Sequence, residues 1–369
     1  MRTLQALAAV LVVLAAAGCS GGSRANQQTR DYYIAADEVT WNYAPAGTNV
    51  FSGAAFNDEA NKFVQTAPDR IGSTYTKCLY HAYTDATFTQ QIPRPADQQY
   101  LGLLGPVIRA QVGDTVKVTF QNNCSFPASI HPHGVFYQKK DEGALYNDGR
   151  SAADKAGDAV APHQQYVYTW QVPDRAGPGP MDGSSVVWMY HSHTDEAPDV
   201  YAGLMGPIEI TARGKARPDG SPNDVDREFF ALFMVMDENQ SHYLDAERTK
   251  LASPPAADDA DFQESNKMHS INGYVYADGP VMTMRQGQRM RWYVMSMGNE
   301  VDLHTPHWHG NTVTANGMRT DTVSLLPATM ITADMVPDDP GMWGFHCHVS
   351  DHILAGMLAR YEVLPAQSQ

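Results

Sequence analysis

An internal duplication is the feature of this sequence that most limits the folds open to it. The segment 105–113, which begins Gly-Pro-Val and ends on a glycine, reappears with the same spacing at 279–287. Further along, Trp188–His193 matches Trp343–His348, and each of these segments ends in a His-x-His pair. Self-similarity of this kind predicts two copies of one folding unit in tandem.

The pattern inside each copy is typical of β-strands. Val116–Phe120 alternates between apolar and polar residues and runs into Gln121–Asn123, which favours a turn. Amphipathic helical windows are few, so the sequence predicts an all-β fold. At 369 residues, the chain is long enough for two domains with their own cores. We place domain 1 at 31–211, a linker rich in glycine and proline at 212–226, and domain 2 at 227–364.

Paired histidines are the clearest chemical signal in the sequence. Ten of the 14 histidines fall in four short motifs that recur in both copies. These are His131, His133, His191, His193, His304, His307, His309, His346, His348 and His352. Spacing two places both imidazoles of a pair on one face of a strand. A single pair is most often an ordinary surface feature, whereas four motifs at matching positions predict a shared metal site.

The last motif also carries a thiol. If its segment is a β-strand, Cys347 points to one face while His346 and His348 point to the other, so that one strand serves two metal sites. Cys347, His352 and Met357 offer the thiolate, imidazole and weak thioether of a blue-copper centre. The second imidazole of that centre must come from elsewhere in the chain.

The first copy is not expected to hold such a centre. Ser192 stands where the second copy has Cys347, and a hydroxyl does not replace a thiolate as a soft ligand. No histidine follows at the position of His352, although Met205 follows an Ala-Gly pair much as Met357 does. We therefore expect domain 1 to keep only its paired histidines.

The four motifs resemble the copper motifs of the multicopper oxidases, whose domains are cupredoxin-like Greek-key β-barrels. The resemblance implies a type 1 copper held by His304, Cys347 and His352, with Met357 as the axial ligand. The implied type 2 ligands are His131 and His307, and the implied type 3 ligands are His133, His191, His193, His309, His346 and His348. Four copper ions per active unit would then pass electrons from a reductant to O₂, which is reduced to water.

Other segments resemble ceruloplasmin and its relatives in particular. They include Trp41–Pro45, Leu101–Pro106, Glu264–His269 and Gly298–His304. Iron-handling residues of that family match Glu264, His269 and Asp351 here, which implies Fe²⁺ as the favoured reductant. Carboxylates and an imidazole suit Fe²⁺, and they suit the harder Fe³⁺ product better. The alternatives are packing roles for these residues and a laccase-like oxidation of phenols or aromatic amines, or an oxidation of Cu⁺ in copper tolerance.

The resemblance has two further implications. Glu142, nine residues after His133, matches a proton-relay carboxylate of related two-domain oxidases. The alternative is that Glu142 lies in a turn and has no catalytic role. Two-domain relatives also assemble as homotrimers, in which domain 1 of one chain meets domain 2 of the next. We therefore expect a homotrimer with its trinuclear copper clusters between chains.

Two other classes of protein fit part of the pattern. Copper nitrite reductase also combines two cupredoxin domains in a trimer, but it needs fewer ligands than the eight histidines outside the type 1 set. A non-enzymatic copper-binding lipoprotein would have no need for four intact motifs. We interpret His81, His163 and His242 as ordinary surface or core residues.

The N-terminus is typical of an exported protein. Residues 1–18 combine a basic start with an apolar run and predict a signal peptide. Cys19 follows small residues as in a bacterial lipobox, so we expect a lipid anchor there, a tether at 19–30 and a location in the bacterial cell envelope or periplasm. A plain secretory signal is the alternative. Cys78 and Cys124 are either a disulfide of an oxidising compartment or two buried thiols.

The charge of the chain bears on its partners. The formal net charge is −15, and no cluster of lysine and arginine is present that could neutralise phosphates. We therefore expect no nucleic-acid partner. An acidic surface favours cationic over anionic substrates, as a long-range bias.

Overall fold

A computed structural model describes residues 27–367 and confirms the predicted all-β class. The predicted signal peptide at 1–18, Cys19 and most of the tether at 19–30 lie outside the described residues. Across 27–367, no helix has both the length and the apolar character needed to cross a membrane.

The N-terminal half folds into a five-stranded and a four-stranded sheet. Its strands are β1 (Thr29–Asn42), β2 (Thr74–Ala82), β3 (Ile108–Gln111), β4 (Thr115–Asn122), β5 (His131–Pro132), β6 (Phe136–Tyr137), β7 (Gln165–Gln171), β8 (Ser185–His191) and β9 (Met205–Thr211). The strand orders are β2-β1-β4-β7-β6 and β3-β9-β8-β5. We call this pair of sheets the first unit.

The C-terminal half repeats the arrangement with a six-stranded and a four-stranded sheet. Its strands are β10 (Arg227–Asp237), β11 (Lys267–Ile271), β12 (Met282–Arg285), β13 (Met290–Ser296), β14 (Pro306–Trp308), β15 (Val313–Ala315), β16 (Met318–Thr320), β17 (Met330–Met335), β18 (Gly341–Cys347) and β19 (Leu358–Leu364). The strand orders are β11-β10-β13-β17-β15-β16 and β12-β19-β18-β14. We call this pair the second unit.

Helices are short and lie between strands. The α-helices are α1 (Asp58–Val64), α2 (Glu196–Ala202), α3 (Leu244–Arg248), α4 (Ala260–Ser265) and α5 (Ser350–Leu354), and the 3₁₀ turns are Ala96–Leu101, Lys139–Asp141, Ala152–Lys155, Asp174–Ala176 and Glu238–Gln240. Helices α2 and α5 occupy matching places in the two units. Helix α2 lies between β8, which carries the second histidine motif, and β9, whereas α5 lies between β18, which carries the last motif, and β19. These connections are central to the metal sites described below.

The duplicated sheets set the histidine motifs side by side. In the first unit β5 pairs with β8, and His131 lies opposite His191. In the second unit β14 pairs with β18, and His307 lies opposite His346. Because side chains alternate along a strand, cross-strand pairing brings both members of each motif to one sheet face.

Packing joins the two units closely. One apolar core lies within the first unit, and a larger one combines β10 and β13 with side chains from the N-terminal half such as Tyr43, Tyr75 and Leu104. Lys77 of β2 and Glu238, which follows β10, form a salt bridge of 2.6 Å and are both buried. Since packing crosses from one half to the other, the domain boundaries given above stay predictions.

A disulfide ties β2 to the turn after β4. Cys78 and Cys124 are bonded, with their Cα atoms 6.2 Å apart, and both are fully buried. Of the two alternatives, the structure therefore shows the disulfide and not two buried free thiols. Disulfides of this kind persist in oxidising compartments.

Candidate metal centres

A buried thiol lies between two imidazoles in the second unit. Sγ of Cys347 is 3.6 Å from Nδ1 of His352 and 3.9 Å from Nδ1 of His304, and the two Nδ1 atoms are 3.2 Å apart. Cys347 ends β18, His352 lies in α5, and His304 is fixed by two backbone hydrogen bonds to Leu325. All three side chains are buried. Three ligand atoms therefore converge on one point inside the protein.

Met357 lies next to this triad. Its carbonyl accepts a hydrogen bond from the Cys347 N–H at 3.2 Å, its own N–H donates to the His352 carbonyl at 2.8 Å, and its side chain is fully buried. A thiolate, two imidazoles and a neighbouring thioether are the ligand types that suit copper in an electron-transfer site. The residues present thus fit the implied type 1 copper.

The protonation state of His352 also suits a metal ion. Burial raises the pKa of the Cys347 thiol, and the N–H groups of Thr305 and Val349, 3.4 and 3.5 Å from Sγ, act against that by stabilising the thiolate. Burial lowers the pKa of His352 to about 4. The imidazole is therefore neutral at pH 7, with its lone pair free for a metal ion.

The first unit repeats the backbone of this site without its ligands. The N–H of Ser192 donates to the carbonyl of Leu204 at 3.1 Å, as the N–H of Cys347 does to that of Met357. Leu204 therefore takes the place of Met357, and Met205, which the sequence comparison had matched to it, lies one residue beyond.

The remaining ligands of the triad are replaced in the same way. The N–H of Leu204 donates to the carbonyl of Asp199 at 3.1 Å, so Asp199 takes the place of His352. Ala128 takes the place of His304, because two backbone hydrogen bonds join it to Val160 just as two join His304 to Leu325. The thiolate, imidazole and thioether positions of the second unit are thus occupied by other residue types in the first unit.

Hydrogen bonds occupy the corresponding pocket of the first unit. The Ser192 hydroxyl donates to the Asp199 carboxylate at 2.6 Å and accepts from the Ser129 N–H at 3.0 Å. The other Asp199 oxygen lies 2.8 Å from Nε2 of His242, whose ring stacks on Phe126 at 3.8 Å. His242 comes from the C-terminal half, so this pocket now connects the two units.

The paired histidines of the first unit form one cluster. Nε2 of His133 lies 3.1 Å from Nε2 of His191, and the ring of His131 lies 5.2 Å from that of His193. Burial lowers the pKa of His133 to about 4 and that of His191 well below its usual value. The cluster borders a surface cleft of about 460 Å³ that residues 131–137 line. We call it the first half-site.

The paired histidines of the second unit form another cluster. Nε2 of His346 lies 2.8 Å from Nε2 of His309 and 3.3 Å from Nδ1 of His307, and the His348 ring lies 5.2 Å from that of His307. Burial lowers the pKa values of His307 and His346. A cleft of about 670 Å³ opens beside His307 and His309. We call this cluster the second half-site.

The two half-sites are separate within one chain. Among residues 27–367, no group of potential metal ligands combines histidines of both half-sites, and no hydrogen bond or ring contact joins the two. The type 2 pair, His131 and His307, and the implied type 3 set are therefore divided between the halves. On strand β18, the Cys347 side chain lies beside His304 and His352, whereas the His346 side chain lies beside His307 and His309.

Glu142 contacts the first half-site through its backbone. Its carbonyl accepts a hydrogen bond from Nδ1 of His131 at 2.7 Å. Its carboxylate is held by Lys139 and by the Tyr146 hydroxyl at 2.9 Å. The carbonyl fixes which nitrogen of His131 stays free for a metal ion, a role that the sequence did not suggest.

Two of the three residues matched to iron handling, His269 and Asp351, lie next to a histidine of the buried triad. The His269 ring, 8% exposed, lies 5.3 Å from that of His352, and Asp351 precedes His352 in α5. Glu264, at the surface of α4, forms a salt bridge of 2.9 Å with Lys267. In the described part of the chain, these residues do not form a group with ligand atoms within 4.8 Å of one another.

Sequence reasoning missed three carboxylates that contact the histidines. Asp302 lies 3.0 Å from Nε2 of His304, Glu196 lies 3.2 Å from Nε2 of His193, and Asp321 lies 3.6 Å from Nε2 of His307. Asp302 alone could have been found, because it precedes its histidine by only two residues. The other two contacts depend on the folding of distant or helical segments.

Comparisons with known proteins agree with this geometry. The family profile described as multicopper oxidase matches residues 83–215 and 250–367. Among solved structures, one titled as a multicopper oxidase aligns with a TM-score of 0.58 and 20% identity over 91% of this chain and 89% of that one. Copper nitrite reductase from Nitrosomonas europaea aligns with a TM-score of 0.58 and 17% identity over 91% and 94%. Likeness at these identities shows the fold alone.

Curated relatives are closer in sequence. Ferroxidase HEPHL1 of Homo sapiens is 45% identical over 91% of this chain and 29% of its own length, hephaestin of Rattus norvegicus is 42% identical over 90% and 29%, and ceruloplasmin of Mus musculus is 41% identical over 93% and 33%. The chain thus spans about a third or less of these relatives. The two profile matches cover both halves of the chain that carry histidine motifs, and the curated relatives, at 41–45% identity, are ferroxidases, hephaestin and ceruloplasmin. The chain therefore belongs to the multicopper oxidase family.

Proposed function

We propose that the protein is a multicopper oxidase that oxidises Fe²⁺ and reduces O₂ to water. The observation that carries the proposal is the double role of β18, which gives Cys347 to the buried triad and His346 to the second half-site. Copper bound at these sites supplies one-electron transfer and the four-electron reduction of O₂. The peptide bond from Cys347 to its neighbouring histidines provides a short covalent path between the two sites.

The ligand sets follow the family resemblance and are supported by the geometry. His304, Cys347, His352 and Met357 would hold type 1 copper in a site closed to water. His131 and His307 would hold type 2 copper, and the other six paired histidines would hold the type 3 pair. The Glu142 carboxylate, hydrogen-bonded to Tyr146 beside the first half-site, would hold a proton for the reduction of O₂.

Fe²⁺ is the favoured reductant because the residues matched to iron handling include two carboxylates, one of which, Asp351, precedes the triad histidine His352. Glu264 and Asp351 would bind the cation beside His269, whose ring contacts that of His352. Fe²⁺ would have to displace Lys267 from Glu264. Sequence similarity to relatives that include ferroxidase HEPHL1 supports this choice.

We expect Glu264→Ala and Asp351→Ala to impair Fe²⁺ oxidation selectively. Loss of one carboxylate removes a direct interaction with the cation, so the KM for Fe²⁺ should rise roughly tenfold or more, as with other metal-site partners. O₂ uptake is measured with Fe²⁺, Cu⁺ and a phenol for each variant. The rate with the phenol should stay near that of the wild type.

Asp261→Ala is the matched control, because Asp261 is an exposed acid on the same helix as Glu264. It should leave all three rates unchanged. If Glu264→Ala and Asp351→Ala behave like this control with Fe²⁺, iron is not the substrate of this site. A laccase-like oxidation of phenols or aromatic amines, or oxidation of Cu⁺, then becomes the better assignment.

We also propose that the active unit is a homotrimer with its trinuclear clusters between chains. The support is that one chain carries two separate half-sites, each at a surface cleft. A heterologous contact that closes as a ring would bring the first half-site of one chain to the second half-site of the next. Each trimer would then contain three clusters.

Complementation tests this assembly. A variant with His131→Ala and His133→Ala and a variant with His307→Ala and His309→Ala should each be inactive alone. Coexpressed in equal amounts, they should regain about one quarter of wild-type activity, because three quarters of random trimers are mixed and each mixed trimer has one intact cluster of three. Inactivity of the mixture, or full activity of a monomer by native mass spectrometry, would exclude clusters shared between chains.

Export to an oxidising compartment is part of the proposal. Its support within the described residues is the buried disulfide between Cys78 and Cys124. The predicted lipid anchor at Cys19 and the bacterial envelope location rest on the sequence alone.

A further inference from the structure

We infer that Asp302 is a positioning residue that holds His304 and sets the redox properties of the proposed type 1 site. The inference rests on the proposed copper site and concerns a residue to which none of the ligand sets above gives a role. Asp302 is fully buried, and Oδ1 lies 3.0 Å from Nε2 of His304. The other ring nitrogen of His304, Nδ1, is the one that faces Cys347 and His352.

The carboxylate is fixed by backbone donors on both sides. Oδ1 also accepts from the Val235 N–H of β10 at 2.7 Å, and Oδ2 accepts from the Asn299 N–H at 2.9 Å. Gly298 has φ +110°, and a Cβ at that position would collide with the Asp302 carboxylate. The segment Gly298–His304 is thus shaped around this side chain.

The charge of Asp302 has no cationic side chain beside it. Among residues 27–367, its one ion-pair partner is His304. Burying a carboxylate without a lysine or arginine is costly. Three charge-assisted hydrogen bonds offset part of that cost, and a metal ion on the far side of the imidazole would offset more.

The arrangement has a direct chemical consequence. Because Nε2–H donates to a carboxylate, the imidazole is fixed in one tautomer and is a stronger electron donor at Nδ1. A stronger donor and a nearby negative charge both favour Cu²⁺ over Cu⁺. Asp302 would therefore lower the reduction potential of the site as well as orient its ligand.

Asp302→Asn tests the inference, because it keeps the shape of the side chain and removes its charge. We expect the reduction potential of the blue site to rise and its affinity for Cu²⁺ to fall roughly 10- to 100-fold. The thiolate-to-copper absorption band and the copper hyperfine coupling should also change. Glu300→Gln is the control, since it removes an exposed charge from the same loop without contacting His304.

A second measurement does not depend on the folding of Asp302→Asn. In His304→Gly, added imidazole can donate to Asp302, whereas N-methylimidazole cannot. We expect imidazole to restore the wild-type potential and N-methylimidazole to give a higher one. If the two ligands give equal potentials, or if Asp302→Asn has the potential and spectrum of the wild type, the role assigned to Asp302 is wrong. Absence of a blue site in the wild type would instead contradict the proposed function.

Discussion

Replacement of Cys347 by serine should abolish the blue absorption and the oxidase activity of this protein. The hydroxyl keeps nearly the same volume but is a hard, weakly acidic group, so copper loses its one anionic soft ligand. Loss of an outer-shell partner costs roughly 10- to 100-fold in metal affinity, and loss of the thiolate should cost more. Copper content, absorption near the charge-transfer band and O₂ uptake provide the measurements.

The first unit contains the same substitution in a natural setting. Ser192 takes the place of Cys347 there and hydrogen-bonds to Asp199 instead of binding a metal ion. Met357→Leu is the informative control, since Leu204 stands at that place in the first unit. It should keep the copper and the colour but raise the reduction potential, because the axial ligand tunes a blue site. Retention of blue copper by Cys347→Ser would show that the triad is not the type 1 site.

Replacement of Lys77 by methionine should strongly destabilise the fold. Lys77 and Glu238 are both buried, and Glu238 also accepts a hydrogen bond from the Tyr43 hydroxyl. Burial lowers the pKa of Lys77 and raises that of Glu238, so each charge depends on the other. Without Lys77, an unpaired carboxylate remains in the core. We expect the free energy of unfolding to fall by about 3–5 kcal/mol.

Urea unfolding of the metal-free protein, followed by tryptophan fluorescence, measures this loss. The double variant Lys77→Met with Glu238→Leu should recover much of it, because apolar replacement of a buried pair is often neutral. Lys62→Met is the control, since its salt bridge with Glu59 is exposed and should contribute nothing measurable. Equal stabilities of Lys77→Met and Lys62→Met would contradict the structural account of the pair.

The local pattern of the sequence was enough to predict much of the site. Alternation along a strand correctly separated Cys347 from His346, and the matched motifs correctly indicated a repeated β-unit. These features depend on period-two geometry and on neighbouring residues. The assignment of the histidines to particular copper ions came from a family resemblance and stays a prediction.

Two of the replacements in the first unit, Asp199 for His352 and Leu204 for Met357, were beyond sequence reasoning for a physical reason. Asp199 lies seven residues after Ser192, whereas His352 lies five after Cys347, so helix α2 and its approach contain two extra residues. A comparison at fixed spacing therefore reaches Ala197 and Ala202 instead of Asp199 and Leu204. Backbone hydrogen bonds identify the true counterparts because they do not depend on chain length.

Tertiary contacts account for the other gaps. The separation of the half-sites, the His242 contact with Asp199 and the Lys77–Glu238 pair join residues that are far apart in the chain. No periodicity or local motif contains that information. Asp302 was within reach, but its segment was used only to recognise the family.

The filled pocket of the first unit has a consequence for how the protein acquires its metal. Ser192 and Asp199 satisfy each other by hydrogen bonds, so the first unit offers no soft competitor for the copper that the Cys347 triad would bind. On the proposed assignment, the Cys347 triad is then the one blue-copper site among residues 27–367 that copper can fill. Loading would then need no selection between two similar sites, while the corresponding pocket of the first unit links the two halves through the contact of Asp199 with His242.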